Sequence, residues 1–364
     1  MRVLVLNPGS STLKASLLED EDDRSADELV EWPAGDRDAA QVVRSVLEAL
    51  PKGADAAGYR VVHGGGDYRG PAAVDERLIS RVEELDALAP LHNRRAAAVM
   101  RAGVAALPDL PHVACFDTAF HATLAPAAYV YPLPYAWYAD WGLRRFGFHG
   151  LSVSWSVERA AALLERPVAE LRLVVAHLGS GCSVTAVDGG RSVATSMGMT
   201  PLEGLMMGTR SGSVDPGLLL ELLDDGRTTL ADLRTALQRE SGLLGVSGVS
   251  ADLREVERAA SADDERAVLA IEIFVRRAAA GIAAVASALP ALDALVFTAG
   301  IGEHAADVRT AICGRLATLR VPAVLNHQSG EDELLSLPGS PVSVLRVAAR
   351  EDLVIAREVA RLLA

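Results

Sequence analysis

The chain has 364 residues and a mass of 38.3 kDa. Half of the residues are hydrophobic and the mean hydropathy is +0.21, which excludes a disordered chain and suits about two domains. With 35 Lys+Arg against 48 Asp+Glu, the formal charge is −13, so the broad basic footprint of a nucleic-acid binder is missing.

Val3–Leu6 reads as a short buried strand, followed by the turn Asn7-Pro8-Gly9-Ser10-Ser11 and a second strand near Leu13–Leu18. The acidic run Glu19–Glu31 reads as a solvated loop. A helical pattern covers Ala39–Leu50 and stops before Pro51. Tyr59–Val62 is β-like and ends in His63-Gly64-Gly65-Gly66. Helices are expected over Asp75–Leu88 and Arg94–Leu107, and the strand His112–Phe116 delivers Asp117 at its carboxyl end. Ala125–Trp141, rich in Pro, Tyr and Trp, reads as an ordered loop or lid. Phe146-Gly147-Phe148-His149-Gly150 looks like a hinge into a helix over Ser152–Glu165.

From Leu171 the pattern of the first strands recurs. Leu4–Ser11 and Val174–Gly181 both run from a strand into a Gly/Ser turn, and both lead to a second strand. That repeat is compatible with two domains of related design and equally with chance recurrence in an α/β chain. Further on, Ser196–Gly212 is rich in Gly and Met, helices are expected near Gly217–Leu223 and Leu230–Arg239, and Gly242–Ser250 reads as a turn leading to Asp252. Asp264–Leu289 reads as a long helix, apolar on most sides and therefore buried. The strand Ala294–Phe297 ends in Thr298-Ala299-Gly300-Ile301-Gly302-Glu303 before another helix, and the strand Val342–Val347 precedes a last helix, Glu351–Leu363. Alternating strands and helices indicate an α/β fold.

Three cysteines without a CxxC spacing, Cys115, Cys182 and Cys313, point away from a disulfide framework and from zinc. The start is too short in apolar residues for a leader, and the longest apolar stretch, Ala278–Leu289, is too short for a bilayer, so a cytoplasmic chain with no membrane partner is expected. Only Lys14 and Lys52 are lysines, which singles both out in an Arg-rich chain.

Asn7–Lys14 is dense in small and hydroxyl residues: glycine lets backbone N–H groups approach an anion, and Lys14 adds charge. It lacks the GxxxxGK[ST] spacing of a Walker loop, and a plain hairpin turn would look the same. Gly179-Ser180-Gly181 and Gly300-Ile301-Gly302 each follow a strand, where α/β folds place ligands, although tight turns share the pattern. Arg60 and Arg210 sit in apolar or Gly-rich settings. Each suits either an anionic ligand or an internal salt bridge. Asp117 and Glu351, at strand ends, are carboxylates of the kind that hold Mg²⁺ together with waters and phosphates. His149 is a candidate donor to a developing anion, or a satisfied core histidine.

The set of segments Asn7–Lys14, Tyr59–Gly65, Leu88–Asn93, Phe116–His121, Phe146–Gly150, His177–Gly181, Thr200–Gly212, Ser241–Arg254, Phe297–Glu303 and Glu351–Glu358 resembles the acetate kinase family, in that family's order from end to end. That family lies within the acetate and sugar kinase, heat-shock 70 and actin superfamily. The resemblance implies α/β architecture with two duplicated ribonuclease-H-like (actin-like ATPase) domains and an interdomain active-site cleft. It implies a first domain of 1–147 plus 348–364, a second of 148–347 carrying the nucleotide, and a homodimer.

The activity implied is reversible phosphoryl transfer from ATP to acetate, giving acetyl phosphate and ADP, with Mg²⁺ or Mn²⁺. The alternatives are a propionate or other short-chain acyl kinase and a non-catalytic actin-like ATP-binding module. The same resemblance places Arg60, Arg210, Asp117 and His149 at the chemistry, with His149 and Arg210 stabilising the transition state. Val62, Leu91, Phe148 and Pro201 would receive the acyl group beside Arg60. Lys14, Ser10, Thr12, His177, Gly179, Ser180, Gly181, Asp252, Leu253, Arg254, Gly300, Ile301 and Gly302 would bind ATP or ADP, and Asn7 and Glu351 the metal. The chain departs from the family pattern at Ser180, Leu151, Val153, Arg94, Arg95, Ser213, Ala349 and Arg350.

Overall fold

A computed structural model describes residues 1–9, 12–19, 23–32, 38–90, 92–324 and 332–364. In chain order the elements are β1 (Val3–Pro8), β2 (Thr12–Glu19), β3 (Asp23–Glu31), α1 (Ala39–Ala49), β4 (Ala56–Val61), β5 (Ala72–Ala73), α2 (Glu76–Glu84), α3 (Asn93–Ala106) and β6 (His112–Phe116). Next come α4 (Pro126–Tyr129), α5 (Tyr135–Trp141), α6 (Gly150–Leu163), β7 (Arg172–Leu178), β8 (Cys182–Asp188) and β9 (Arg191–Thr195). The rest are α7 (Pro216–Asp224), α8 (Leu230–Arg239), α9 (Gly242–Ser247), α10 (Leu253–Ala260), α11 (Glu265–Ala286), β10 (Ala294–Thr298), α12 (Ala299–His304), α13 (Ala306–Gly314), β11 (Glu333–Leu334), β12 (Ser343–Arg346) and α14 (Glu351–Leu363).

The strands form two sheets of the same design, ordered β3-β2-β1-β4-β6-β5 and β9-β8-β7-β10-β12-β11. In each, an antiparallel trio leads into two strands parallel to its innermost member, and a two-residue strand closes the edge antiparallel. The repeat at Leu4–Ser11 and Val174–Gly181 therefore marks equivalent places, β1 into β2 and β7 into β8. Duplication accounts for it.

The chain groups into two compact units, one of 1–122, 148–155 and 350–364 and one of 123–147 and 156–349. Residues 123–147 and 348–349 group with the second unit and 148–155 with the first. In the first unit, Leu6, Leu13, Val42, Tyr59, Met100 and Phe116 share one buried core. On the opposite side α14 comes close to β4 at Gly58, where an added Cβ would lie 2.6 Å from Ile355 Cγ2.

Several expectations are corrected. Glu19–Glu31 is not simply a loop: Asp23–Glu31 forms the edge strand β3. Ala26 and Val30 pack on the core while Asp27, Leu29 and Glu31 face outward, a period of two with charge on the exposed face of an edge. Residues Gly242–Ser247 form the short helix α9 where a turn was expected. The lid-like segment 125–141 contains α4 and α5. Gly300, Ile301 and Gly302 lie within α12, which starts directly at the end of β10. The long helix α11 is buried along one side only, with Val268 and Leu269 exposed. Arg95, one of the departures, stacks its guanidinium 3.8 Å from the centroid of the Trp32 ring.

Candidate active site

β1, β4 and β6 lie side by side and parallel, so their carboxyl ends share one edge of the first sheet. β1 brings Asn7 to that edge, β4 brings Arg60, and Asp117 follows the last residue of β6. Glu351 opens α14, where the helix dipole favours a carboxylate.

The four side chains meet. Arg60 Nη2 donates to Asp117 Oδ2 at 2.7 Å and its Nε to the same oxygen at 3.2 Å. Arg60 Nη1 lies 3.0 Å from Glu351 Oε2 and donates to Asn7 Oδ1 at 3.3 Å, while Asn7 Nδ2 donates to Glu351 Oε2 at 3.2 Å. The Asp117 side chain is 1 % exposed. Burial works against the Arg60 charge, but Asp117 and Glu351 outweigh it and hold the guanidinium firmly protonated. Burial pushes the Asp117 carboxyl above the usual carboxylate range; Arg60 pulls it back and Glu351 adds repulsion. For Arg60, the internal ion pair is therefore present.

A backbone N–H of His149 also bonds Asp117. His149 adopts φ +59°, a left-handed conformation that a non-glycine residue holds only under constraint. The constraint is visible next door. Gly150 N–H donates to Asp117 O at 2.9 Å, and a Cβ at Gly150 would stand 2.2 Å from that oxygen. Val62 and Phe148 are both buried in the same unit. Lys14 sits opposite Asn7 across the β1–β2 pair, and Gly9 N–H donates to Thr12 O at 2.8 Å. Ser10 and Leu91 lie outside the described residues.

The second unit gathers a different group. The turn after β7 is closed by Gly179 N–H on Gly181 O at 3.1 Å, with His177 at the end of the strand. A Cβ at Gly179 would lie 3.4 Å from Ala299 Cβ, so this turn abuts the start of α12 and its Gly300-Ile301-Gly302. Ala299 has φ +64°, a second constrained non-glycine position. Gly208 N–H donates to Ser180 O at 3.2 Å, and a Cβ at Gly208 would be 3.0 Å from Ala251 O. The segments carrying Ser180, Arg210 and Asp252 are thus neighbours. Asp252 caps α10 and pairs with the exposed Arg254, while Leu253 is buried. Arg210 Nη1 donates to Pro201 O at 2.5 Å, and among the described residues no carboxylate lies within ion-pair distance of it. Burial lowers its pKa without a carboxylate to offset the effect. A guanidinium in that state favours an incoming anion.

A model of the acetokinase family matches residues 39–357. The chain belongs to the acetokinase family. An acetate kinase of Halothermothrix orenii is 39% identical over 395 aligned residues, covering 100% of this chain and 99% of the relative. Among solved structures, the Porphyromonas gingivalis acetate kinase superposes with a TM-score of 0.89 at 34% identity, with 100% of both chains covered. A propionate kinase from Francisella tularensis gives 0.86 at 34% identity, with 98% of each chain covered.

Membership of the acetokinase family brings ATP and a divalent metal with it. The donors at the edge of the first sheet are two carboxylates and an amide, all hard oxygens, which fit such a cation when phosphates and waters complete its shell. Among the described residues no helix is long and apolar enough to cross a membrane. Some side-chain contacts near segments singled out in the sequence have no sequence signal. Glu203 receives Tyr131 Oη at 2.5 Å and Arg145 Nη2 at 2.6 Å, and Thr118 Oγ1 accepts the Gly64 N–H at 3.1 Å. Thr118 lies inside a recognised segment, but nothing in its spacing marks a side chain that bonds backbone.

Proposed function

We propose that the chain transfers the γ-phosphoryl group of ATP to acetate, reversibly, giving acetyl phosphate and ADP. Family membership supports the reaction class, and the observation that carries the site is Arg60 held among Asp117, Glu351 and Asn7 at the edge of the first sheet. An acetate oxygen attacks the γ-phosphorus in line. The new P–O bond forms as the bond to the β-phosphate bridging oxygen breaks, and ADP leaves. Acetate is ionised at neutral pH, so no general base is required. What the reaction needs is positioning and relief of repulsion between carboxylate and phosphate.

Arg60 would orient the carboxylate, and the resemblance gives Val62, Leu91, Phe148 and Pro201 as the residues that would receive its methyl group. Arg210, with no carboxylate partner among the described residues, takes the transferring phosphoryl group, and His149 donates to it as charge spreads over its oxygens. Ser10, Thr12 and Lys14 would bind the phosphates. His177, Gly179–Gly181, Asp252–Arg254 and Gly300–Gly302 hold the nucleotide. Asn7, Asp117 and Glu351 would hold the metal, Mg²⁺ or alternatively Mn²⁺, which when bound would neutralise phosphate charge. Val62 narrows the pocket in favour of acetate over propionate, which is one methylene longer, and the similarity to acetate kinases of 39% to 50% identity supports the same preference.

We also propose a cytoplasmic homodimer. Helix α7, with leucines at 218, 219, 220, 222 and 223, buries none of its residues, and Leu218 and Leu220 are 52 % and 63 % exposed. A second copy covering that face would remove an apolar surface from water. Hydroxamate trapping of acetyl phosphate from ATP, Mg²⁺ and a series of carboxylates tests the activity. Product with acetate supports it, and no product with any short carboxylate overturns it.

A further inference from the structure

Three consecutive backbone amides in the loop leaving β4 are satisfied by side chains. His63 N–H donates to Asn93 Oδ1 at 3.1 Å, Gly64 N–H to Thr118 Oγ1 at 3.1 Å, and Gly65 N–H to the His63 ring Nδ1 at 2.9 Å. The Asn93 amide completes the grip, donating to His63 O at 3.0 Å and to Val82 O at 3.3 Å. Asn93 is fully buried. It holds His63 by both its N–H and its C=O, as a neighbouring strand would.

The reason lies in where the ladder stops. β4 ends at Val61, whose carbonyl accepts from Asp117 N–H at 3.0 Å, and the chain then turns out of the sheet. The amides beyond that point are buried and need partners, because an unpaired buried N–H is costly. Asn93 is the first residue of α3, so its backbone is committed to the helix and its side chain is free to reach the loop. Beyond His63 the contact continues to Phe148: the two rings stand edge to face, centroids 5.2 Å apart at 75°. Phe148 is fixed from another direction, its carbonyl bonded to His121 Nε2 at 2.9 Å. One buried amide therefore braces the residue that follows Val62 in the chain and packs on Phe148.

We propose that Asn93 is a positioning residue that sets acyl-chain selectivity. By fixing His63 it fixes the Val62 backbone and the seat of the Phe148 ring, and so the pocket width that separates acetate from propionate. The inference rests on the reading of Val62 and Phe148 as walls of that pocket. A hydrophobic pocket discriminates one methylene by about 10–200-fold, and only if its walls do not yield.

The test measures kcat and KM for acetate, propionate and ATP in the unmodified chain and in Val62→Ala, Asn93→Ala and Asn93→Asp. Asn93→Asp keeps the acceptor for His63 N–H, so it decides the matter if Asn93→Ala does not fold. Both Asn93 variants are expected to raise KM for acetate and to lower the acetate-to-propionate ratio of kcat/KM by about threefold or more. KM for ATP should stay within about twofold. Val62→Ala should move the ratio the same way. If Val62→Ala moves it and a folded Asn93 variant does not, the inference is overturned and the pocket reading stands. If Val62→Ala does not move it either, the pocket reading fails and takes the inference with it. An equal loss of kcat on both acids with the ratio intact is what a purely structural Asn93 would give, and it overturns the proposal.

Discussion

Arg60 and Asp117 form a forked pair in which two guanidinium nitrogens, Nη2 and Nε, converge on Asp117 Oδ2 at 2.7 and 3.2 Å. One partner lies inside β4 and the other immediately follows β6, so the parallel pairing of adjacent strands sets the distance between them. The pair ties stability and catalysis together.

Arg60→Ala should damage both. Removing the guanidinium leaves Asp117, with its side chain 1 % exposed, as an uncompensated buried charge, which typically costs about 3–5 kcal/mol. Loss of a transition-state donor lowers kcat by about 10²–10³-fold. Adding Asp117→Asn should recover part of the melting temperature but none of the activity. An unchanged melting temperature in Arg60→Ala would show that the pair is not formed.

Arg210 behaves differently because no carboxylate pairs with it among the described residues. Arg210→Ala should lower kcat by about 10²–10³-fold with little effect on thermal stability, and Arg210→Lys should rescue only part, since a point charge does not replace a planar fork. Full activity in Arg210→Lys would speak against a geometric role.

Asp117→Asn and Glu351→Ala should each raise the divalent-metal concentration needed for half-maximal turnover, because each removes a hard anionic oxygen from the same cluster. Titration of activity with Mg²⁺ and Mn²⁺ checks this. Identical metal curves in both variants would remove these carboxylates from the metal site.

His121 predicts a pH effect on stability. Burial lowers its pKa from 6.5 to about 4, and the ring bonds the Phe148 carbonyl. For a base whose folded pKa is depressed, the unfolded chain binds the extra proton between those two values. The stability that neutral His121 supplies is therefore complete above about pH 6.5 and is lost as pH falls toward about 4. His121→Gln keeps a donor and takes up no proton. Melting temperatures measured at about pH 7 and about pH 5 should fall further on acidification in the unmodified chain than in the variant. Parallel losses would refute the assignment.

Much of this arrangement was legible in the sequence because strand ends and Gly-rich turns are local signals. Asn7 and Asp117 fall at strand ends and α14 begins at Glu351 as expected, whereas Arg60, expected at the start of the strand Tyr59–Val62, sits one residue before the end of β4. What was not legible depends on partners far along the chain. Asp23–Glu31 looked like a solvated acidic loop because its charge masks a period of two that only pairing with β2 makes meaningful. Arg60 and Arg210 looked alike in sequence, yet one meets two carboxylates and the other a backbone carbonyl. Asn93 ends a recognised segment, but its clamp is not legible there, since a side chain that bonds backbone thirty residues away has no spacing rule.

Acetyl phosphate formation from ATP and acetate with Mg²⁺, followed for the unmodified chain and Arg210→Ala side by side, is the decisive measurement. The unmodified chain should give acetate-dependent acetyl phosphate and stoichiometric ADP, and a folded Arg210→Ala protein should be slower by about 10²–10³-fold. Stable, folded, unmodified chain that yields no acyl phosphate would rule out the transfer, and a variant that forms it at the same rate would rule out the role of Arg210.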